Sequence, residues 1–175
     1  MAKFILCMGA FFLSCAISTR SGRTVKPDDL FPEDGEVQGW TRSGAIRSAS
    51  DDEGLYDLMD GAADLYIRHH CGAFAGQTYE GSKGWFLEVE IYDLGEQAHA
   101  RALYRDPKIA QTPNHILKDV DTEARVDESR VLDYGVEFRK GRFFVRVVVF
   151  EKGEDALNAA VLFAKVVSNK ITSRD

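Results

Sequence analysis

The chain has 175 residues, of which 45% are hydrophobic and 29% charged, and its formal net charge is -6. These are globular proportions, and an acidic protein has no general attraction to a phosphate backbone, which excludes nucleic acid as a class of partner. About 150 residues remain once an N-terminal leader and linker are set aside, enough for one domain that buries roughly 70% of its unfolded surface.

The first element in the chain is an export-type segment. Lys3 supplies a positive charge, Phe4 to Leu13 is an unbroken run of apolar and small residues, and Ser14-Cys15-Ala16 puts small residues where a signal peptidase cuts. The run is shorter than the ~20 residues that a membrane-spanning helix needs. Two processing routes compete. Cleavage after Ala16 would use Ser14 and Ala16 as the small residues of the site. Alternatively, Leu13-Ser14-Cys15 resembles the end of a bacterial lipoprotein signal, in which the cysteine is lipidated and becomes the first residue. Phe12 and Leu13 stand where such signals usually carry Leu and a small residue, yet the short signal ending at a cysteine favours lipidation at Cys15. Residues 1–15 are therefore expected to be a signal peptide, 16–29 a flexible linker carrying Arg20, Arg23, Lys26 and Pro27, and 30–175 a single α+β domain. Only Cys71 survives either route in free form, so the mature domain forms no internal disulfide, and Cys71 is expected to be buried.

The domain opens at Leu30-Phe31-Pro32 and Gly39-Trp40, and Thr41 to Ala49 reads as a short strand. Ser50 with Glu53 resembles a capping box. The helix after it has the clearest pattern in the chain: Leu55, Leu58, Met59, Ala62, Leu65 and Tyr66 form one apolar face. Asp57, Asp60, Asp64 and Arg68 take the opposite side, and Gly61 suggests a close approach to a sheet. His69-His70-Cys71-Gly72 ends the helix.

Phe74 to Tyr79 and Trp85 to Asp93 read as paired strands. In the second, Trp85, Leu87, Val89 and Ile91 alternate with polar residues including Glu88 and Glu90, the period of a sheet with one wet side. Glu96 to Arg105 is a short helix stopped before Pro107. Lys108 to Ser129 is polar and weakly patterned, a long connection with at most one short element. A hairpin spans Val131 to Arg139 and Arg142 to Phe150, and the last helix runs from Glu154 to Ile171.

The two hairpin-helix units align without a gap. Trp85, Phe86, Leu87, Val89, Ile91 and Tyr92 meet Phe143, Phe144, Val145, Val147, Val149 and Phe150, and Gly95-Glu96 meets Gly153-Glu154. Ala98 and Ala102 meet Ala156 and Ala160. An internal duplication of a hairpin-helix unit follows as an expectation, giving an α+β fold with an antiparallel sheet and helices packed mainly on one face. Glu88 and Glu90 meet Arg146 and Val148, so the second strand is more apolar on its outer face and should be central or covered.

The run Tyr56-Asp57-Leu58-Met59-Asp60-Gly61-Ala62-Ala63-Asp64-Leu65-Tyr66 resembles the signature of an uncharacterised family of exported bacterial proteins, a domain of unknown function with a Gly-Ala-x-x-Leu-Tyr helix motif. Leu30-Phe31-Pro32, Gly39-Trp40, Glu88 to Asp93 and Glu96 to Ala98 fit the same pattern, with Ala62 and Asp64 in place of Gly and Glu. The resemblance covers most of the domain and implies no activity.

Two groups of residues bear on chemistry. Asp57, Asp60 and Asp64 would share a helix face, where clustered carboxylates suit a divalent cation or acid–base work, but also a plain solvated surface. His69, His70 and Cys71 are metal-type ligands with no second cluster to complete a tetrahedral set, so no metal site and no cofactor is expected. No Gly-rich phosphate loop, nucleophile elbow or His-Glu-x-x-His motif occurs. The sequence thus points to an exported protein of the periplasm or cell envelope, lipid-anchored if Cys15 is modified, acting as a binding module for an envelope protein or small ligand. An enzyme working through the acidic helix face is the alternative.

Overall fold

The computed structural model describes residues 24–110, 114–121 and 123–171. The expected signal peptide, Cys15 and the first part of the expected linker lie outside the described residues. Strands β1 (Trp40–Ala49), β2 (Ala73–Gly81), β3 (Phe86–Asp93), β4 (Asn114–Ile116), β5 (Ala124–Asp127), β6 (Tyr134–Lys140) and β7 (Phe143–Val149) form one sheet. Its order is β1-β2-β3-β7-β6-β5-β4, and the pairings are all antiparallel. The helices are α1 (Asp52–Met59), α2 (Ala63–Arg68), α3 (Gln97–Tyr104) and α4 (Glu154–Lys170). The fold is therefore α+β with an antiparallel sheet.

Alternation in the strands builds two cores, one on each face. Leu87, Val89, Ile91, Val145, Val147 and Val149 point to one side, where Ala156, Ala160, Phe163, Ala164 and Val167 of α4 cover them. Phe74, Tyr92 and Phe144 point to the other, beneath Leu55 of α1, Ala63 and Tyr66 of α2, and Ala100 and Leu103 of α3. β7 is buried on both sides because its sequence is apolar on both, and it sits at the centre of the sheet.

The strands on either side of the β3–β7 seam follow in mirrored order. Val89 lies directly opposite Val147, the residue that the repeat makes its equivalent, with Leu87 opposite Val149 and Ile91 opposite Val145. Gly95 and Gly153, also equivalent, both turn the chain out of a strand with positive φ, 74° and 111°. Beyond that point the units part. Three of the four α-helices share a face, but α3 and α4, the two helices of the repeat, pack on opposite faces. Ala98 is exposed where its counterpart Ala156 is buried, so the alanine match reflects helix propensity rather than a shared environment.

The long helix expected through Leu55 and Tyr66 is broken. Asp51, not Ser50, caps α1, its carboxylate accepting from the Gly54 N–H at 2.8 Å. Asp60 adopts φ 49° and ψ -136°, a glycine-like conformation strained for a residue with a side chain, and a 3-10 turn at Asp60–Ala62 separates α1 from α2. The break lets two short helices lay Leu55, Ala63 and Tyr66 on the same cluster. Gly61 is exposed and has no atom within 4 Å of where a Cβ would stand, so it makes no close approach to the sheet.

The weakly patterned stretch after α3 holds two strands, β4 and β5, where one short element was expected. Only Ala124 and Val126 of β5 turn into the core, too few to show a period. β6 begins at Tyr134, leaving Val131 and Leu132 in the preceding loop at 84% and 78% exposure. At the end of the expected linker, Val25 packs against the core, Pro27 is buried, and Arg142 donates from Nη2 to the Val25 carbonyl at 2.8 Å. Among the described residues, no helix is long and apolar enough to cross a membrane.

Candidate binding cleft

Cross-strand register places a row of charged residues across the face that α1, α2 and α3 partly cover. Arg47 is opposite Gly76, Gly76 opposite Glu90, Glu90 opposite Arg146, Arg146 opposite Glu137, and Glu137 opposite Arg125. Opposite charges on directly facing positions attract, which favours this register over a slipped one.

Glu137 is the hub of the row and is only 3% exposed. Its Oε1 accepts from Arg146, Nε at 3.0 Å and Nη2 at 2.9 Å. Its Oε2 accepts from Arg125, Nε at 2.9 Å and Nη2 at 2.6 Å. Two planar guanidinium forks thus grip one carboxylate, the geometry in which Arg outperforms Lys. Arg125 is pinned further: Nη1 donates to the Tyr104 carbonyl at 2.6 Å, and its guanidinium lies 3.9 Å from the Tyr104 ring centre. Arg146 donates from Nη1 to the Tyr66 hydroxyl at 3.3 Å and stands 3.9 Å from Glu90 Oε2. The Tyr66 ring stacks on Tyr92 with centres 4.1 Å apart and planes 10° from parallel, and the Tyr92 hydroxyl donates to Glu90 Oε2 at 3.1 Å.

Burial dominates the protonation of this row. It pushes the Glu90 carboxyl above the usual carboxylate range, although Arg146 pulls the other way. Burial opposes the charge of Arg146 as well, but Tyr66 and Glu137 beside it more than offset this and hold its guanidinium above the ordinary value.

Above Glu137 and Arg146 lies a cleft of about 520 Å³. Its floor includes Gly135, whose missing side chain leaves the space open; a Cβ there would sit in ordinary contact, 3.6 Å from the Asp127 Cβ. One wall is the 3-10 turn and α2, from Gly61 to Arg68. Lys108 and Ile109, which follow α3, and Asp127 and Arg130, at the end of β5, complete it. The acids of the lining are already engaged. Asp64 accepts from the Tyr56 hydroxyl, Asp127 Oδ1 accepts from the Ser129 N–H at 3.0 Å and its hydroxyl at 2.5 Å, and Glu137 is held by its two arginines. Arg130 pairs with Asp133. Arg68 and Lys108 are exposed and form no ion pair among the described residues.

The residues singled out from sequence are distributed as follows. Asp57, Asp60 and Asp64 are all exposed; Asp64 lines the cleft, while the turn at Asp60 takes Asp57 and Asp60 out of its lining. Among the described residues, no group of three or more His, Cys, Asp or Glu side chains could hold a metal ion. His69 Nε2 is 2.8 Å from Asp106, and that hydrogen bond holds the Asp106 carboxyl below its ordinary value. His70 stacks instead on His99, ring centres 4.2 Å apart. Cys71 is buried as expected, donates from Sγ to the Ala73 carbonyl at 3.4 Å, and burial pushes its thiol up to about 12.

Local sequence pattern does not reveal the Arg125–Glu137–Arg146 cluster as a unit. Its signal was present in part: Glu137 stands between Val136 and Phe138, and Arg146 between Val145 and Val147. A lone charge in the middle of an apolar strand requires a buried partner. Arg125 lay in a stretch without visible period. Comparison with known protein families, with curated proteins and with solved structures found no match to this chain.

Proposed function

We propose that this protein is an exported, lipid-anchored component of the cell envelope whose domain is a binding module, with the cleft above Glu137 and Arg146 as its ligand site. The observation that carries the reading is the cleft's construction. A space of about 520 Å³ is within the range of small-molecule sites, and it lies over an ionic network whose members are locked by one another before any ligand arrives. Such preorganisation lowers the ordering cost of binding. Nothing draws Asp57, Asp60 and Asp64 together, so the acid–base alternative gains no support from their placement.

The N-terminal segment, together with the resemblance of the Tyr56 to Tyr66 run to a family of exported proteins, supports export, and the Leu13-Ser14-Cys15 end supports the anchor. A chain anchored at Cys15 would enter the domain near Val25, which Arg142 holds beside the β6–β7 turn. The loop bearing Arg130 leaves the opposite end of β6, roughly 20 Å away at about 3.3 Å per residue. Attachment and the cleft's Arg130 rim would thus occupy different ends of the sheet.

A thermal-shift screen of the mature domain against small polar metabolites tests the cleft. A hit should raise the melting temperature of the parent and not of Gly135→Val, which fills the floor; a hit that stabilises both equally places the site elsewhere. Incorporation of a fatty-acid analogue in cells should be lost in Cys15→Ala, and label that persists in the variant rules out the anchor.

A further inference from the structure

We infer that the cleft selects a small organic anion, an apolar body of about one ring carrying a carboxylate or phosphoryl group; the inference rests on the cleft being a ligand site. The lining carries four cations, Arg68, Lys108, Arg130 and Arg146, against three carboxylates, Asp64, Asp127 and Glu137. Each acid in the lining is engaged: Asp64 by the Tyr56 hydroxyl, Asp127 by Ser129, Glu137 by Arg125 and Arg146. Two of the four cations are also engaged, Arg146 by Glu137 and Arg130 by Asp133. What remains for a ligand is Arg68 on α2 and Lys108 after α3, which form no ion pair among the described residues, although Arg68 also acts on the nearby Asp106 carboxylate.

This local sign is opposite to that of the whole chain, whose net charge is -6. A positive cleft in an acidic protein concentrates anions there and repels them elsewhere on the surface, which is how a cleft steers one class of small ligand. A cationic ligand would meet more like charge than opposite charge, with Arg146 already on the floor. Ala62, Leu65 and the buried Ile109 add apolar lining, which suits a hydrocarbon body rather than a bare inorganic ion. Arg68 and Lys108 come from separate elements, so only a ligand lying inside the cleft can meet both.

Isothermal titration at constant ionic strength tests this with four probes of one shape: benzoate, phenyl phosphate, benzyl alcohol and benzylammonium. One or both anions should bind the full mature domain at least ten-fold more tightly than the neutral and cationic probes, and which of them binds identifies the head group. The Arg68→Glu/Lys108→Glu variant changes only exposed side chains and should lose at least ten-fold of that affinity, while Gly135→Val should lose it altogether. Benzyl alcohol or benzylammonium binding as tightly as the anions, and sensitive to Gly135→Val, would overturn the anion preference and leave the cleft standing. Anion binding that survives Gly135→Val would overturn both readings, and no saturable anion binding at millimolar concentration overturns the preference.

Discussion

Replacing Glu137 by Gln removes one charge from a cluster in which two arginines depend on it. In the parent, four N–H···O contacts of 2.6 to 3.0 Å divide evenly between the two carboxylate oxygens. The Gln amide keeps one acceptor oxygen and turns an NH₂ donor toward the other guanidinium, so one arginine loses its acceptor. Removing one partner of a buried ion pair typically costs about 3–5 kcal/mol. Arg146 reaches the cleft and is 20% exposed, so part of its charge regains water, and the lower end, about 3 kcal/mol, is expected. For a domain of this size about 1 kcal/mol moves the melting temperature by ~2–4 °C, which gives a drop of roughly 6–12 °C. Urea unfolding followed by the fluorescence of Trp40 and Trp85 measures the loss, with an unchanged slope as the sign that only stability moved. The variant Arg125→Met/Glu137→Leu/Arg146→Met, which removes all three charges together, should lie within about 2 kcal/mol of the parent, because neither arginine is left without its carboxylate, while Glu90, on losing Arg146, keeps the Tyr92 hydroxyl and shifts further toward its protonated form. A loss below about 1 kcal/mol in Glu137→Gln, or a triple variant as unstable as the single one, would refute the view of Glu137 as the hub.

Two further outcomes follow from burial. Because Glu90 titrates above its unfolded value, its folded form holds the proton more tightly, and the stability linked to it is complete at low pH and declines as pH rises through the folded value. Glu90→Gln should therefore match the parent at about pH 4, near the unfolded glutamate value, and equal or exceed it at pH 7; a variant clearly weaker than the parent at pH 7 would show that attraction to Arg146 outweighs desolvation. Cys71, with its thiol pushed up to about 12, should react with a maleimide at pH 8 on the order of a thousand-fold more slowly in the folded domain than in urea; equal rates in the two would contradict its burial.

The elements that were readable from the chain are those whose evidence is local. Alternation in β3 and β7, the face of α4 and the glycines at Gly95 and Gly153 each depend on residues a few positions apart, and all reappear in the fold. The extra apolar residues on β7 announced a strand covered on both sides, and β7 lies at the centre of the sheet. The break at Asp60 was not readable, because Leu55 to Tyr66 keeps helical spacing across it and only packing on Phe74, Tyr92 and Phe144 favours two short helices.

The candidate site depended almost wholly on long-range pairing. The sequence by itself determined the α+β class, the strand-turn-helix units and the burial of Cys71, since backbone periodicity and composition are properties of contiguous residues. Only the tertiary structure decided that α3 and α4 part to opposite faces, because β7 needs cover on both. It also brought Arg125, Glu137 and Arg146 into one cluster from three strands, and set Arg68, Lys108 and Gly135 around one space from three separate segments. Charges distant in sequence acquire a common meaning only when strand register makes them neighbours and burial removes the water that would otherwise screen them.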